Sequence, residues 1–140
     1  MSKMSYGRAF GWWAERAPEA PVVIFEDQVR TRAQLESASN RRARLYLEAG
    51  VASGDRVTIA LPNGPEFFEC CLAAWKLGAT PSPVSSQLPE IERRAIIEVA
   101  EPAFIAGAPK GRYGATPSHP VGFAAPGEID DAPLPDVIPR

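Results

Sequence analysis

The sequence has few of the side chains that carry covalent or metal chemistry. Its 140 residues include one histidine and two cysteines. The cysteines, Cys70 and Cys71, are neighbours in sequence and cannot form an ordinary structural disulfide. His119 stands between Ser118 and Pro120, with no cysteine or carboxylate cluster at ligand spacing. We therefore predict no catalytic residue and no metal ligand in this chain.

The sequence also lacks an excess of positive charge and a long apolar run. Fifteen Lys and Arg residues stand against 17 Asp and Glu, a net charge of −2, so no basic field meets nucleic acid or a membrane surface. The N-terminus has no charged region followed by an apolar core and a cleavage site, and no run approaches the length of a membrane span. We expect a cytoplasmic protein with no nucleic-acid partner and no membrane span.

What is present is the composition of an ordinary globular chain, with 45% hydrophobic residues. The stretch from Gly54 to Val84 predicts a strand, a helix and a second strand. An apolar strand at Val57–Leu61 is stopped by the Pro62–Pro65 turn, a helix follows over Glu66–Leu77, and Ala79–Val84 returns as a strand. This order is typical of a parallel crossover and predicts an α/β core.

The remaining elements are assigned from hydrophobic periodicity, caps and turn residues. They are a helix at Ser5–Arg16, two hairpin strands at Val22–Glu26 and Gln28–Thr31, a helix at Arg32–Ala49 with a capping box from Thr31 and Gln34, a helix at Pro89–Ala100, and a strand at Ala103–Ala106. Because Pro81 and Pro83 cannot both donate to a central ladder, we expect Ala79–Val84 to be irregular or at a sheet edge.

Several side chains are assigned to a face. We expect Phe10, Trp13 and Ala14 to pack in the core. The apolar face of the Pro89–Ala100 helix is predicted from Ile91, Ala95, Ile96 and Val99. The run Arg41–Arg44 is interpreted as a solvated helix face, and Glu66 and Glu69 as surface charge.

We divide the chain into an α/β portion at 1–106 and a segment rich in proline and glycine at 107–140. The second segment is expected to be irregular and to lead toward a downstream region that is missing. Val121–Ala124 is compatible with one more strand. Glu128–Asp136 is acidic and interrupted by proline, and is interpreted as a surface segment or linker.

The central stretch resembles a known family. The matching residues are Gly54-Asp55-Arg56-Val57, then Leu61-Pro62-Asn63 with Glu66-Phe67, then Ala73 to Ala79. In this order and spacing they resemble the N-terminal part of the adenylate-forming (AMP-binding) enzymes, most closely the acyl-CoA synthetases or carboxylic acid–CoA ligases. The resemblance runs from about Trp12 to about Gly107. One departure is Arg32, which stands where the family commonly has an aromatic residue.

The resemblance implies a fold and a reaction. The fold would be a partial three-layer α/β/α N-terminal subdomain with a mostly parallel sheet. The full-length enzyme would use ATP, Mg and CoA to form an acyl-adenylate and then a CoA thioester. No cofactor is expected in this chain, which would be a catalytically inactive scaffold. An amino-acid-activating adenylation domain remains an alternative, as does a non-catalytic α/β module that binds a partner protein.

The resemblance also implies candidate site residues. In acyl-CoA synthetases, the loop after the strand that matches Ala79–Val84 lies near the route of CoA, which makes Ser85, Ser86 and Gln87 candidate CoA contacts. A basic residue after the strand that matches Ala103–Ala106, Lys110 or Arg112, could meet the CoA phosphate. The expected partners are the remainder of the enzyme and a carboxylic acid substrate, and self-association is possible.

Overall fold

The computed structural model describes residues 3–138 and has the α/β architecture that the sequence predicts. Residues 1–2 of the predicted unit 1–106 and residues 139–140 of the predicted unit 107–140 lie outside the described residues. The division between the two units stays a prediction. The helices and strands within the described range are, in chain order, α1 (Tyr6–Arg16), β1 (Pro21–Phe25), β2 (Gln28–Thr31), α2 (Arg32–Glu48), β3 (Arg56–Ile59), α3 (Pro65–Lys76), β4 (Thr80–Pro83), α4 (Glu90–Ala100), β5 (Phe104–Ala106) and β6 (Ser118–His119).

The main sheet contains strands in the order β4-β3-β5-β6, and all neighbouring pairs are parallel. Helices α3 and α4 connect β3 to β4 and β4 to β5, as parallel pairing requires. Strands β1 and β2 form a separate antiparallel hairpin. Because the parallel strands all run the same way, the segments that follow them meet at one edge of the sheet.

Helices cover both faces of this sheet, which makes it the central layer of three. Alternate residues of β5 point to opposite faces: Phe104 packs in the core with Tyr46 of α2 and Cys70 of α3, whereas Ile105 packs against Ile97 of α4. The structure thus confirms the predicted partial three-layer α/β/α arrangement with a parallel sheet.

The helix starts follow from local sequence. Ser5 caps α1 by accepting a hydrogen bond from the Arg8 N–H at 3.1 Å. The predicted capping box is confirmed: the Thr31 hydroxyl accepts from the Gln34 N–H at 3.2 Å, and the Gln34 side chain accepts from the Thr31 N–H at 2.9 Å. These caps satisfy donors that the first helical turn leaves free.

Strand β4 lies at the edge of the sheet, as its prolines indicate. Pro81 and Pro83 pair in register with Val57 and Ile59 of β3, and β4 has no neighbour on its other side within the described residues. A strand that cannot donate from two positions is tolerated there. The prolines also protect this edge from pairing with another chain.

The predicted apolar face of α4 is wrong. Ile91 and Val99 are 85% and 84% exposed, and Ala95 and Ile96 are exposed as well. The helix is anchored to the sheet through Ile97, which is buried. The hydrophobic periodicity of α4 correctly indicates an apolar stripe, but the residue of the helix that packs against β5 is Ile97, which is not one of the four predicted.

The prediction that Trp13 packs in the core is also wrong. It is more than half exposed, with the Arg32 guanidinium 5.3 Å from its ring centroid. Ala14 is buried as expected, and Phe10 packs against the cluster of Val23, Leu35 and Leu72. The segment 107–140 contains the short strand β6 at Ser118–His119, whereas Val121–Ala124 forms no strand, contrary to expectation. The strand ends there because Pro120 has no N–H to donate and Gly122 turns the chain at a φ of +84°.

Candidate functional site at the carboxyl edge of the sheet

A cleft of about 410 Å³ opens at the carboxyl ends of β3 and β4. Leu61, Pro62 and Asn63 form one wall directly after β3, and Phe67 extends into it from α3. The opposite wall is Pro83–Gln87, where β4 ends. Ligands of open parallel α/β sheets bind outside the carboxyl ends of the strands, so this cleft is the candidate site.

Three of the five sequence-predicted residues lie in this wall. Ser85, Ser86 and Gln87 all line the cleft, with Ser85 and Gln87 exposed. The Ser85 hydroxyl accepts a hydrogen bond from the Gln87 N–H at 3.3 Å, which shapes the turn. The arrangement presents hydroxyl and amide groups to the cleft, suited to polar contacts with a ligand.

The conformation of this loop depends on Arg93 of α4, which the sequence analysis did not identify. Its Nη2 donates to the carbonyl oxygens of Ser86 at 3.0 Å and Leu88 at 2.9 Å. Its Nη1 lies 3.8 Å from a Glu90 carboxylate oxygen. The spacing of Glu90 and Arg93 is the available sequence signal, since residues three apart are neighbours on a helix.

The two basic candidates lie after β5 and do not line the cleft. Arg112 Nη1 is 3.8 Å from Glu90 Oε2, and its carbonyl oxygen accepts from Arg94 at 3.2 Å. Lys110 is exposed. Glu90 therefore links Arg112 to Arg93 and so to the Ser86 loop. The structure groups Ser85, Ser86 and Gln87 in one wall and connects Arg112 to it through two side chains.

A neighbouring cleft of about 370 Å³ contains a buried charge cluster. The Arg42 side chain is 4% exposed, its Nε 3.0 Å from Glu69 Oε2 and its Nη2 3.8 Å from Glu66 Oε1. The interpretation of Arg41–Arg44 as a solvated face is thus wrong for Arg42, and that of Glu66 and Glu69 as surface charge is wrong as well. The reason is that both carboxylates lie on the face of α3 that packs against α2.

His119 lies beside this cluster rather than in an irregular tail. Its ring stacks on Phe123 with centroids 3.8 Å apart and meets Phe104 edge-on at 4.8 Å. Burial, with a smaller contribution from Arg42, lowers the pKa of His119, so the ring is neutral near pH 7. Among residues 3–138, no group of three or more His, Cys, Asp or Glu side chains could hold a metal ion. These surroundings indicate a packing role for His119.

The comparison that decides the family is a match to the family model of the AMP-binding enzymes over residues 10–129. The chain belongs to the AMP-binding enzyme family. The match includes the hairpin, the main sheet and the loops of both clefts. It confirms the resemblance seen in the sequence.

The curated relatives of this chain include much longer proteins. It is 36% identical over 93 residues to pyochelin synthetase PchE of Pseudomonas aeruginosa, covering 66% of this chain and 6% of that protein. It is 38% identical over 82 residues to crotonobetaine/carnitine–CoA ligase of Citrobacter koseri, covering 55% of this chain and 16% of that protein. The chain therefore spans a small part of the length of either relative.

The fold is shared with solved structures. The nonribosomal peptide synthetase FmoA3, in its AMPPNP-bound form, matches with a TM-score of 0.86 and 20% identity, over 96% of this chain and 15% of that one. O-succinylbenzoate coenzyme A synthetase of Bacillus subtilis, in complex with AMP, matches with a TM-score of 0.70 and 27% identity, over 79% and 30%. Among residues 3–138, no helix is long and apolar enough to cross a membrane.

Proposed function

We propose that this chain forms the N-terminal part of an enzyme that uses ATP to activate a carboxylic acid as its acyl-adenylate. The observation that carries the proposal is the family match over residues 10–129. The polar cleft at the carboxyl edge of the parallel sheet supports it, because that edge is where such folds bind ligands. The longer relatives support a role as one portion of a larger catalytic unit.

Within that enzyme, this part acts as a scaffold for the reaction. Transfer of the adenylyl group needs donors and cations that hold the triphosphate while the carboxylate attacks the α-phosphorus. In the sequence, Gly107–Gly114 is rich in glycine and contains Lys110, but it does not have the spacing of a phosphate loop. We therefore propose that ATP and Mg are held by the downstream remainder of the enzyme, and that the isolated chain is inactive.

Transfer of the acyl group to CoA is the first candidate for the second half-reaction. The resemblance to the carnitine–CoA ligase supports it. The cleft wall fits polar contacts with such an acceptor, since Ser85, Ser86 and Gln87 present hydroxyl and amide groups there. Arg112 and Lys110, after β5, would supply positive charge for a CoA phosphate. The Glu90 carboxylate near Arg112 partly neutralises the charge of that guanidinium.

Activation of an amino acid is the second candidate, and the 36% identity to pyochelin synthetase favours it. The two candidates share the adenylation step and differ in the acid and the acceptor. They are therefore separated by which acid supports exchange in the first half-reaction and by whether CoA accepts the acyl group in the second.

The test is ATP–pyrophosphate exchange with the natural protein that contains this sequence. The panel consists of aliphatic acids, aromatic acids and amino acids, each assayed with and without CoA. Exchange that depends on an acid supports the proposal, and a CoA thioester among the products selects the ligase. The 140-residue chain serves as a control and is expected to give no exchange. Failure of the natural protein to exchange with any acid would contradict carboxylate activation.

A further inference from the structure

The segment from Glu128 to Asp136, named here the strap, lies against α2 instead of extending as a free linker. Four consecutive backbone carbonyls of the strap accept hydrogen bonds from side chains of α2. The contacts are Arg41 Nε to Ile129 at 3.1 Å, Arg44 Nη1 to Asp130 at 3.0 Å and to Ala132 at 2.6 Å, and Asn40 Nδ2 to Asp131 at 2.9 Å. The strap is therefore held on α2 through its backbone as well as through its side chains.

The charges of the strap complement those of the helix. Asp131 Oδ2 accepts from the Ser37 hydroxyl at 2.7 Å and lies 3.4 Å from Arg41 Nη2. Asp130 Oδ2 lies 3.7 Å from Arg44 Nη2. The hydrogen bond from Ser37, with a smaller contribution from the nearby arginines, lowers the pKa of Asp131. An acidic segment thus lies on a basic stretch of helix.

The far end of the strap is tied to other parts of the fold. Asp136 accepts a hydrogen bond from the Ser5 hydroxyl at the start of α1, and Leu134 packs against the main core. Pro133 and Pro135 have no N–H groups to satisfy, which suits a segment held through its carbonyls. The strap is therefore held at both ends and in the middle.

The strap covers a buried ion pair. Lys76 Nζ lies 2.9 and 2.8 Å from the two Glu36 carboxylate oxygens, and Lys76 is 7% exposed. A cavity of about 20 Å³, room for about one water molecule, lies next to this ion pair. Its lining includes Glu36, Lys76, Ser5 and residues Pro133–Asp136 of the strap. The strap therefore forms one wall over this ion pair, and α1, whose Gly7 lies against Lys76, forms another.

We propose that Ser37, Asn40, Arg41 and Arg44 form a docking site for an acidic, proline-containing segment, and that the strap of the same chain occupies it. The docked strap closes Lys76 off from solvent. This inference does not depend on the acid that the enzyme activates. The docking site lies on α2, and the strap already occupies it in the structure.

The test is the rate of lysine acetylation, read residue by residue by mass spectrometry. The chain has three lysines, and Lys3 and Lys110 are exposed, which makes them internal references for Lys76. In the wild-type chain we expect Lys76 to react far more slowly than both. In the double variant Arg41→Ala/Arg44→Ala we expect its rate to rise about tenfold or more, because charge-assisted hydrogen bonds that hold the strap are lost.

Arg32→Ala is the matched control, since Arg32 is on the same helix but faces Trp13. It should leave the rate at Lys76 unchanged. Circular dichroism verifies the fold of each variant. If the double variant does not fold, Asp131→Ala, which removes an exposed partner of Ser37 and Arg41, replaces it with the same expectation. A folded variant that keeps the wild-type rate at Lys76 would overturn the proposal, as would wild-type Lys76 that reacts as fast as Lys3 and Lys110.

Discussion

Arg42 and Glu69 join the two helices that cover one face of the sheet, with 3.0 Å between Arg42 Nε and Glu69 Oε2. Glu66 Oε1 lies 3.8 Å from Nη2 of the same guanidinium, and Nη2 also donates to the Phe123 carbonyl oxygen. The pair thus connects α2, α3 and the segment after β6. Because the side chain of Arg42 is 4% exposed, its loss leaves carboxylates with reduced solvation and no counter-charge.

Arg42→Ala should therefore lower the free energy of unfolding by about 3–5 kcal/mol, the usual effect of breaking a buried pair from one side. Urea unfolding followed by circular dichroism measures it. Lys110→Ala, at an exposed position after β5, is the control and should change stability by less than about 0.5 kcal/mol. Equal, small effects of the two substitutions would contradict the assigned role of Arg42.

Gly107 should tolerate a side chain far less well than Gly111. Both have positive φ, +107° and +80°, so alanine at Gly111 should cost about 1–2 kcal/mol of strain. At Gly107 the new Cβ would also overlap the carbonyl oxygen of Ala60, whereas nothing lies within 4 Å at Gly111. We expect Gly107→Ala to destabilise the protein clearly more than Gly111→Ala in thermal unfolding. The reverse order would show that β3 and β5 do not approach as described.

The thiols should be unreactive while the chain is folded. Burial raises the pKa of Cys70 to about 11 and that of Cys71 to about 12, and the thiolate is the reactive form. A thiol reagent at pH 8 should label neither residue in buffer and both in urea. Fast labelling of either cysteine in the native state would contradict this.

The same pKa shifts have a consequence for stability. A raised pKa in the folded state favours the protonated thiol, so this contribution is fully present below the ordinary thiol pKa of about 8.5. It is lost as pH rises toward 11 and 12. The free energy of unfolding should fall over that window, and less steeply in Cys70→Ala and Cys71→Ala when each variant is compared with its own value at pH 7.

The exposed apolar face of α4 should affect association rather than stability. Ile91→Gln, at an 85% exposed position, should change the free energy of unfolding by less than about 0.5 kcal/mol. It should also reduce any self-association seen by analytical ultracentrifugation. Ile97→Ala, on the buried side, should cost about 2–5 kcal/mol. A large stability loss from Ile91→Gln would mean that the helix is rotated.

The CoA hypothesis makes a kinetic prediction for the natural protein. Arg112→Ala should raise the concentration of CoA needed for half-maximal thioester formation and leave acid-dependent ATP–pyrophosphate exchange unchanged. Arg16→Ala on α1, whose guanidinium packs 3.5 Å over the Trp12 ring, is the charge-matched control. An unchanged CoA requirement would remove Arg112 from the site.

Much of the fold could be predicted because its signals are local. The Thr31 and Gln34 capping box, the β1–β2 hairpin and the edge position of β4 each depend on residues close in sequence. The face of α4 could not be predicted, since a stripe of apolar residues does not reveal which side meets the sheet. The burial of Arg42 depends on carboxylates 24 and 27 positions away on another helix. The docking of the strap could not be predicted either. Arg41 and Arg44 bind backbone carbonyls of residues more than 80 positions away in sequence, and because every residue has a backbone carbonyl, such acceptors cannot be recognised from residue types.

The central claim is that this chain works as the N-terminal part of a larger carboxylate-activating enzyme. The most direct measurement is the intact mass, in its native source, of the protein that an antibody against this chain captures. We predict a species several times heavier than the 15.1 kDa of the 140 residues, which gives acid-dependent ATP–pyrophosphate exchange. A native species of about 15.1 kDa without exchange would contradict the account and favour a non-catalytic α/β module that binds a partner protein.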